Sequence, residues 1–398
     1  MSDVLIVEPL ARPPDATITV PGSKSITNRA LICAAFANGT SELHGALRAD
    51  DTEAMIDCLR ALGIAVEVAG ERISVHGCGG AIPVSEARLD VRLSGTTARF
   101  ITPVAARGNG RFEIDAAPPM RRRPMAPTFD ALRAVGVQID ELGEPGCLPI
   151  VLRSNGVRGG RVSVSGDVSS QFVSGLLMAG FEVDVTTALV SEPYVAMTHA
   201  IMRAFAGPRT FDIEPDASAA SYFFAAAAMC GGRVTVEGLG PSSLQGDLRF
   251  VDVLESMGAT VERDSERTTV RGTGVLHGVT VDLRDLSDMV PTLAAVAVFA
   301  DSPTTVTGVG FIRGKESDRI GDLITELRRC GIDAIEHEDG LTIKPGQPHS
   351  ARIHTYDDHR MAMAFALIGL RVPGIEIDDP ECVAKTFPGY FSALDQLR

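Results

Sequence analysis

One pattern recurs six times along this 398-residue chain: a polar turn of Ser, Thr, Asp or Gly leads into a run of small apolar residues. The copies are SKSITNRALICAAFA from Ser23, SGTTARFITPVAA from Ser94, DVSSQFVSGLLMAG from Asp167, DASAASYFFAAAAM from Asp216, SDMVPTLAAVAVFA from Ser287 and DDHRMAMAFALIGL from Asp357. Successive copies start about 70 residues apart, except the third and fourth, which are about 50 apart. A fixed period of this kind means that one supersecondary unit is repeated. Each copy reads as a helix with a polar N-cap. The Ala-rich runs are apolar all round, so they are expected to be core helices covered by sheets. Between the copies, RVSVSG, RVTVEG and TTVTGVG alternate Val with polar residues and read as strands. FDALRAVGVQ, FVDVLESMGATV and LITELRRCGIDA read as a second, amphipathic helix with Gly close after its end. A chain of this length exceeds one ordinary core. Six units therefore imply two domains of three units each, with the second half beginning near Asp216.

Charge narrows the functional classes. The net charge is −14 and there is no Trp. This disfavours a nucleic-acid protein, which needs a basic field and stacking platforms. The apolar runs are too short to span a bilayer, so no membrane partner is expected. MSDVLIVEPLARPPD has no basic segment before its apolar stretch and does not read as a signal peptide. Seven scattered cysteines without CxxC or CxxH spacing argue against structural zinc and a disulfide framework, and point to a cytoplasmic protein. The eight dispersed histidines make a metal cluster unexpected. No P-loop, strand-to-helix GxGxxG, GxSxG elbow or HExxH helix is present.

The polar turns themselves suggest an anion site. Helix N-termini offer free N–H groups and partial positive charge, and the basic residues gather there. Lys24 and Arg29 lie in the first turn and Arg99 in the second, with Arg121, Arg122 and Arg123 about twenty residues on. Ser169, Ser170 and Gln171 lie in the third; His359 and Arg360 lie in the last. RGKESDRI adds Lys315, Glu316 and Arg319, and AKTFPGY adds Lys385. Of 37 basic residues only four are lysines, and Lys24, Lys315 and Lys385 are three of them. Lysine is a compact, titratable charge where arginine is a rigid fork. Glu316 stands between Lys315 and Arg319, which would keep it ionised. Simpler readings stand beside these: Asp288 as a plain N-cap, His359 as a structural imidazole, Arg121 and Arg122 as a solvated face, and Cys33 as core.

PGSKSITNRAL, GTTAR, RRPM, GDVSSQF, SEPY, PDASAASYFFAAAA, QGDLRFVDVLESMGA, the SD of LSDMVPT, KESDRI, YDDHRMAM and AKTFP occur in the order seen in the 5-enolpyruvylshikimate-3-phosphate synthases. The chain resembles that family over nearly its whole length. The resemblance implies a mixed α/β (α+β) fold of two globular domains, each three βαβαββ repeats around buried helices, joined by a two-stranded hinge. Residues 1–20 with 216–398 would form one domain and 21–215 the other, with the active site in the cleft between them. It implies transfer of the carboxyvinyl group of phosphoenolpyruvate to the 5-hydroxyl of shikimate 3-phosphate by addition and elimination, in aromatic amino acid biosynthesis. No metal or organic cofactor is implied, and a monomer is expected.

Carried over by motif, Asp288 would take the hydroxyl proton, and Glu316 would handle the methylene proton with Lys24 assisting. Lys24, Ser25, Arg29, Ser169, Ser170, Gln171, Ser191, Tyr194, Asp288 and Lys315 would bind shikimate 3-phosphate. Lys24, Gly95, Arg123, Gln171, Arg319, His359, Arg360 and Lys385 would bind phosphoenolpyruvate. Dianionic ligands would be expected to close the domains.

The chain departs from the family at several points. Arg92 and Leu93 replace a usual Gly-Asn, and Phe311 stands where some members place Asn. Gly314 follows Arg313 where Val is usual, Pro215 replaces Gly, and about twenty residues of a hairpin are missing before Asp216. These departures leave open a paralogue acting on a related cyclic hydroxy acid. UDP-N-acetylglucosamine enolpyruvyl transferases share the donor, but residues 107–125 hold no cysteine and SKS replaces their AKN. An RNA 3′-phosphate cyclase relative would need a basic face. A catalytically dead binding module would not need Lys24, Asp288, Glu316 and Arg319 together.

Overall fold

Each of the six apolar runs folds as a helix in the computed structural model, which describes residues 4–206 and 209–398. They span Lys24–Phe36, Gly95–Ala105, Ser170–Met178, Ala217–Cys230, Val290–Ala297 and His359–Gly369. Alanine has the best intrinsic helix propensity and leaves little side chain to separate packed backbones. Five of the helices are capped by the polar residue ahead of them: Ser23, Ser94, Ser169, Asp216 and Asp358 accept from backbone N–H groups of the first turn. In the third copy the cap is Ser169, two residues after Asp167. The exception is Val290–Ala297, which is entered through a 3₁₀ turn at Ser287–Met289 with no side-chain cap. Reading Asp288 as a plain N-cap is therefore corrected: it lies within the 3₁₀ turn, one residue ahead of the N-cap position at Met289, and its carboxylate accepts from Arg319 and Arg360 instead.

Backbone contacts divide the chain into two units, residues 22–214 and residues 1–21 with 215–398. In residues 22–214 the first three apolar helices pack on one another. Gly175 makes the closest approach possible: a Cβ there would lie 2.3 Å from the carbonyl oxygen of Arg99. Two four-stranded sheets lie in this unit. One runs Thr210–Asp212, Asn38–His44, Arg72–Cys78, Ala65–Ala69; the other runs Glu86–Asp90, Asn109–Asp115, Ile150–Asn155, Gln138–Glu141. Each has one parallel pair and two antiparallel pairs. The third repeat contributes two parallel strands, Arg161–Val164 and Glu182–Val185.

Residues 1–21 with 215–398 repeat the plan. The other three apolar helices pack together, and Tyr222, Phe223, Phe224 and Phe365 are buried among them. Thr260–Arg263, Arg267–Arg271, Arg233–Glu237 and Asp15–Ile18 make one sheet. Thr280–Asp282, Thr304–Thr307, Gly340–Ile343 and Ala334–His337 make the second. Val4–Val7, Ile375–Asp378 and Ala351–Ile353 make the third. The predicted strands RVTVEG and TTVTGVG fall in these sheets. The predicted amphipathic helices are Ala126–Ala134, Phe250–Ser256 and Gly321–Arg329. Each is followed by a glycine at positive φ, Gly136, Gly258 and Gly331, as a left-handed helix exit requires. No helix among the described residues is long and apolar enough to cross a membrane.

Candidate active site

The Lys24–Phe36 helix presents its N-terminus as a polar surface. Lys24, its first residue, places Nζ 3.4 Å from Oδ2 of the buried Asp51. The backbone carbonyl of Asp51 accepts from Thr97 Oγ1 at 3.0 Å, which ties it to the next apolar helix. Ser25 is half-buried. Arg29, one turn on, is buried: Nε donates to Thr198 Oγ1 at 2.7 Å, Nη1 to the Ser25 carbonyl at 2.9 Å, and Nη2 to the Tyr194 carbonyl at 3.3 Å and Ser174 Oγ at 3.4 Å. Its guanidinium also lies over the rings of Phe100 and Tyr194, 5.1 and 5.6 Å from their centroids. Burial lowers its pKa to about 10. Arg29 thus braces the surface that carries Ser25 and Tyr194.

Gly95 opens the second apolar helix because of what stands beside it. A Cβ there would lie 2.7 Å from Nη1 of Arg123, so the missing side chain admits a guanidinium to the helix N-terminus. Arg99 donates to Gln171 Oε1 at 2.7 Å, and Gln171 Nε2 donates to Thr96 Oγ1 at 3.2 Å. The amide of Gln171 is therefore oriented at both ends. Ser169 and Ser170 are buried at the start of the third helix. Ser191 is buried with φ 53, where the Glu192–Ala204 helix begins, and its carbonyl accepts from the Tyr194 N–H at 3.1 Å. Arg92 has φ 52 and pairs with Asp57 at 2.5 Å. Arg121 is paired with Asp115 on the exposed surface.

In residues 215–398 the nominated charges form one alternating chain. Arg319 is buried and central: Nε and Nη2 donate to Asp358 at 2.7 and 3.2 Å, Nη1 to Asp288 at 3.0 Å, and Nη2 to Glu316 at 2.7 Å. Arg360 continues it with Nη2 on Asp288 Oδ2 at 2.7 Å. Lys385 ends it with Nζ 3.7 Å from Glu316 Oε1. Burial pulls the pKa of Arg319 down, but the carboxylates of Asp358, Glu316 and Asp288 outweigh this and raise it above the ordinary arginine value. Asp358 also caps its own helix, accepting from the Arg360 N–H at 2.9 Å. His359 is buried with Nδ1 3.6 Å from Asp358. Lys315 turns elsewhere: its Nζ lies 5.8 Å from the centroid of the Phe311 ring.

Chemically, this is a pair of partly exposed carboxylates, Asp288 and Glu316, bridged by one guanidinium and flanked by two more cations. Carboxylates so placed can exchange protons with a bound molecule, and the cations suit carboxylate and phosphate groups. Asp51, Thr96 and Asp358 were not nominated from sequence. Asp358 carried a signal, since it caps a helix beside two nominated residues. Asp51 carried none: its partner Lys24 is 27 positions away.

The family model described as EPSP synthase (3-phosphoshikimate 1-carboxyvinyltransferase) matches residues 11–209 and 206–394. A 3-phosphoshikimate 1-carboxyvinyltransferase of Nostoc punctiforme is 45% identical to the chain, over 99% of each protein. One of Methanoculleus marisnigri is 44% identical over 96% of each. Among solved structures, EPSP synthase from Acinetobacter baumannii matches with a TM-score of 0.80 at 26% identity, covering 99% of this chain and 98% of that one. The enolpyruvyl transferase NikO from Streptomyces tendae matches in fold, with a TM-score of 0.73 at 19% identity, covering 100% of this chain and 98% of that one.

Proposed function

The chain belongs to the EPSP synthase family, and from that premise we propose that it transfers the carboxyvinyl group of phosphoenolpyruvate to the 5-hydroxyl of shikimate 3-phosphate, releasing phosphate. The full-length relatives carry the name of this activity, which favours it over a UDP-N-acetylglucosamine or other cyclic hydroxy acid acceptor. In the addition step a proton joins the methylene carbon of phosphoenolpyruvate, the 5-hydroxyl oxygen bonds to its C2, and the hydroxyl proton passes to a base. In the elimination step a methyl proton leaves, the bond from C2 to the phosphate oxygen breaks, and the vinyl group is restored.

The observation that carries the assignment of roles is the Arg319-bridged pair of Asp288 and Glu316. Asp288 takes the hydroxyl proton, and Glu316, with Lys24, gives and retrieves the methylene proton. Arg319, His359, Arg360, Lys385, Arg123 and the N-terminus at Gly95 hold phosphoenolpyruvate. Ser25, Ser169, Ser170, Ser191, Tyr194 and Lys315 hold shikimate 3-phosphate, with Arg29 as the brace and Gln171 contacting both ligands. The proposal requires groups from both units to act on one pair of substrates, in a cytoplasmic monomer.

Phosphate release from phosphoenolpyruvate, measured with and without shikimate 3-phosphate, tests the reading. Release is expected only with the acceptor present, and Lys24→Ala is expected to abolish it. No release by wild-type protein, together with unchanged ligand binding in Lys24→Ala, overturns the reading.

A further inference from the structure

The turn that delivers Asp358 to Arg319 has an unfavourable backbone. Tyr356 and Asp357 sit consecutively in the left-handed region, at φ 56 and φ 55, and neither is glycine. A side chain there crowds the following carbonyl, so two in succession persist only where the surroundings hold them. The restraint is visible. The Tyr356 hydroxyl donates to Glu326 Oε1 at 2.8 Å, and the backbone N–H of His354 donates to Glu326 Oε2 at 3.1 Å. Arg329 donates to the same two oxygens, at 2.9 and 3.3 Å. The Glu326 side chain is fully buried. A buried carboxylate is expensive unless donors surround it, and this one has four.

Position along the chain gives the contact its meaning. Glu326 lies on the Gly321–Arg329 helix, and Arg319 stands two residues ahead of that helix. The segment from His354 to Arg360 is therefore gripped twice by one stretch of chain. Glu326 holds it at His354 and Tyr356; Arg319 holds it at Asp358. One left-handed residue, Tyr356, is itself part of the first grip and the other, Asp357, lies between the two, while the Thr355 carbonyl accepts from the Asp358 N–H at 2.9 Å. Just past the second grip, Arg360 reaches Asp288.

We propose that Glu326 and Tyr356 are positioning residues, a latch that sets Asp358 and Arg360 and through them the Arg319-bridged carboxylates. Neither touches a substrate in this account. The inference rests on the carboxyvinyl-transfer reading for its kinetic consequence, but not for its structural one.

Tyr356→Phe removes the hydroxyl alone; Glu326→Gln puts an amide NH₂ where a donor now points. Steady-state phosphate release is measured with each substrate varied, beside the thermal midpoint and amide hydrogen exchange across residues 354–361. Both variants are expected to lose about tenfold or more in kcat, because small misplacements of catalytic groups are costly. KM for phosphoenolpyruvate is expected to rise several-fold while that for shikimate 3-phosphate stays within about twofold, since the ligands of the latched segment are the phosphoenolpyruvate groups. Exchange at Asp358–Met361 is expected to quicken. Unchanged kcat and KM in Tyr356→Phe overturn the latch, whatever its melting temperature; that variant decides the matter if Glu326→Gln does not fold. If the wild-type protein itself proves inactive, the functional reading fails, and exchange alone judges the latch: quickened exchange upholds it and unchanged exchange overturns it.

Discussion

Nη1 of Arg319 lies 3.0 Å from Oδ1 of Asp288, with the Arg319 side chain 2% exposed and that of Asp288 18% exposed. The cation is inside and the carboxylate edge is outside. This asymmetry suits a group that must meet a substrate while a fixed charge holds its orientation. Because Arg319 also serves Glu316 and Asp358, the two candidate proton carriers share one support.

Arg319→Lys keeps the charge but cannot span three carboxylates with one ammonium. We expect kcat to fall by about 100-fold or more. Urea unfolding should show a loss of about 2 kcal/mol, from charge-assisted hydrogen bonds no longer made. A variant with wild-type kcat would mean that the shared fork is not needed.

Glu316→Gln separates proton transfer from binding. Its kcat should drop by roughly 10²–10⁴. In D₂O with both substrates, deuterium should cease to enter the methylene carbon of recovered phosphoenolpyruvate, as read by mass spectrometry. Asp288→Asn should slow turnover comparably, with KM for phosphoenolpyruvate changed far less than kcat.

Gly95→Ala sets stability against function. Alanine is favoured over glycine in a helix by about 0.5–1 kcal/mol. Its Cβ, however, would stand 2.7 Å from Arg123 Nη1, the movable end of a long side chain. The fold should hold or gain slightly in a thermal melt while KM for phosphoenolpyruvate rises. A raised KM for shikimate 3-phosphate alone would contradict the placement of Arg123.

Glu141 gives a pH dependence. The Gly146 N–H and then the Arg133 guanidinium hold its carboxyl below the ordinary value of 4.5. With the folded pKa depressed, the stabilisation is present above the unfolded pKa and is lost as pH falls through the folded one. Glu141→Gln should therefore be less stable than wild type at pH 7, by less than about 1 kcal/mol because Glu141 is partly solvated. The difference should narrow as pH falls below about 4.5 and close once the folded carboxyl is itself protonated. A difference that persists in acid would assign the effect to packing.

Much of the fold was legible because it repeats. Six apolar runs with polar caps are local features, and both the caps and the exit glycines obey local rules. Asp288 misled for a local reason: a carboxylate before an apolar helix looks like a cap whether or not a 3₁₀ turn intervenes. Partners far apart in sequence were not legible. Asp51 under Lys24, Thr96 and Arg99 around Gln171, and Glu326 behind Tyr356 are joined only by tertiary packing, the first and last within one repeat and the second between two. Arg92 and Phe311 were visible as departures, and the structure gives each a partner, Asp57 and Lys315.

The most direct measurement follows purified protein with phosphoenolpyruvate and shikimate 3-phosphate by ³¹P NMR. The account predicts that both substrate signals fall together while inorganic phosphate and a new 3-phosphate signal rise in equal amounts. Glu316→Gln should leave the spectrum unchanged over the same time. Loss of phosphoenolpyruvate without change in the shikimate 3-phosphate signal, or no change in either, would contradict it.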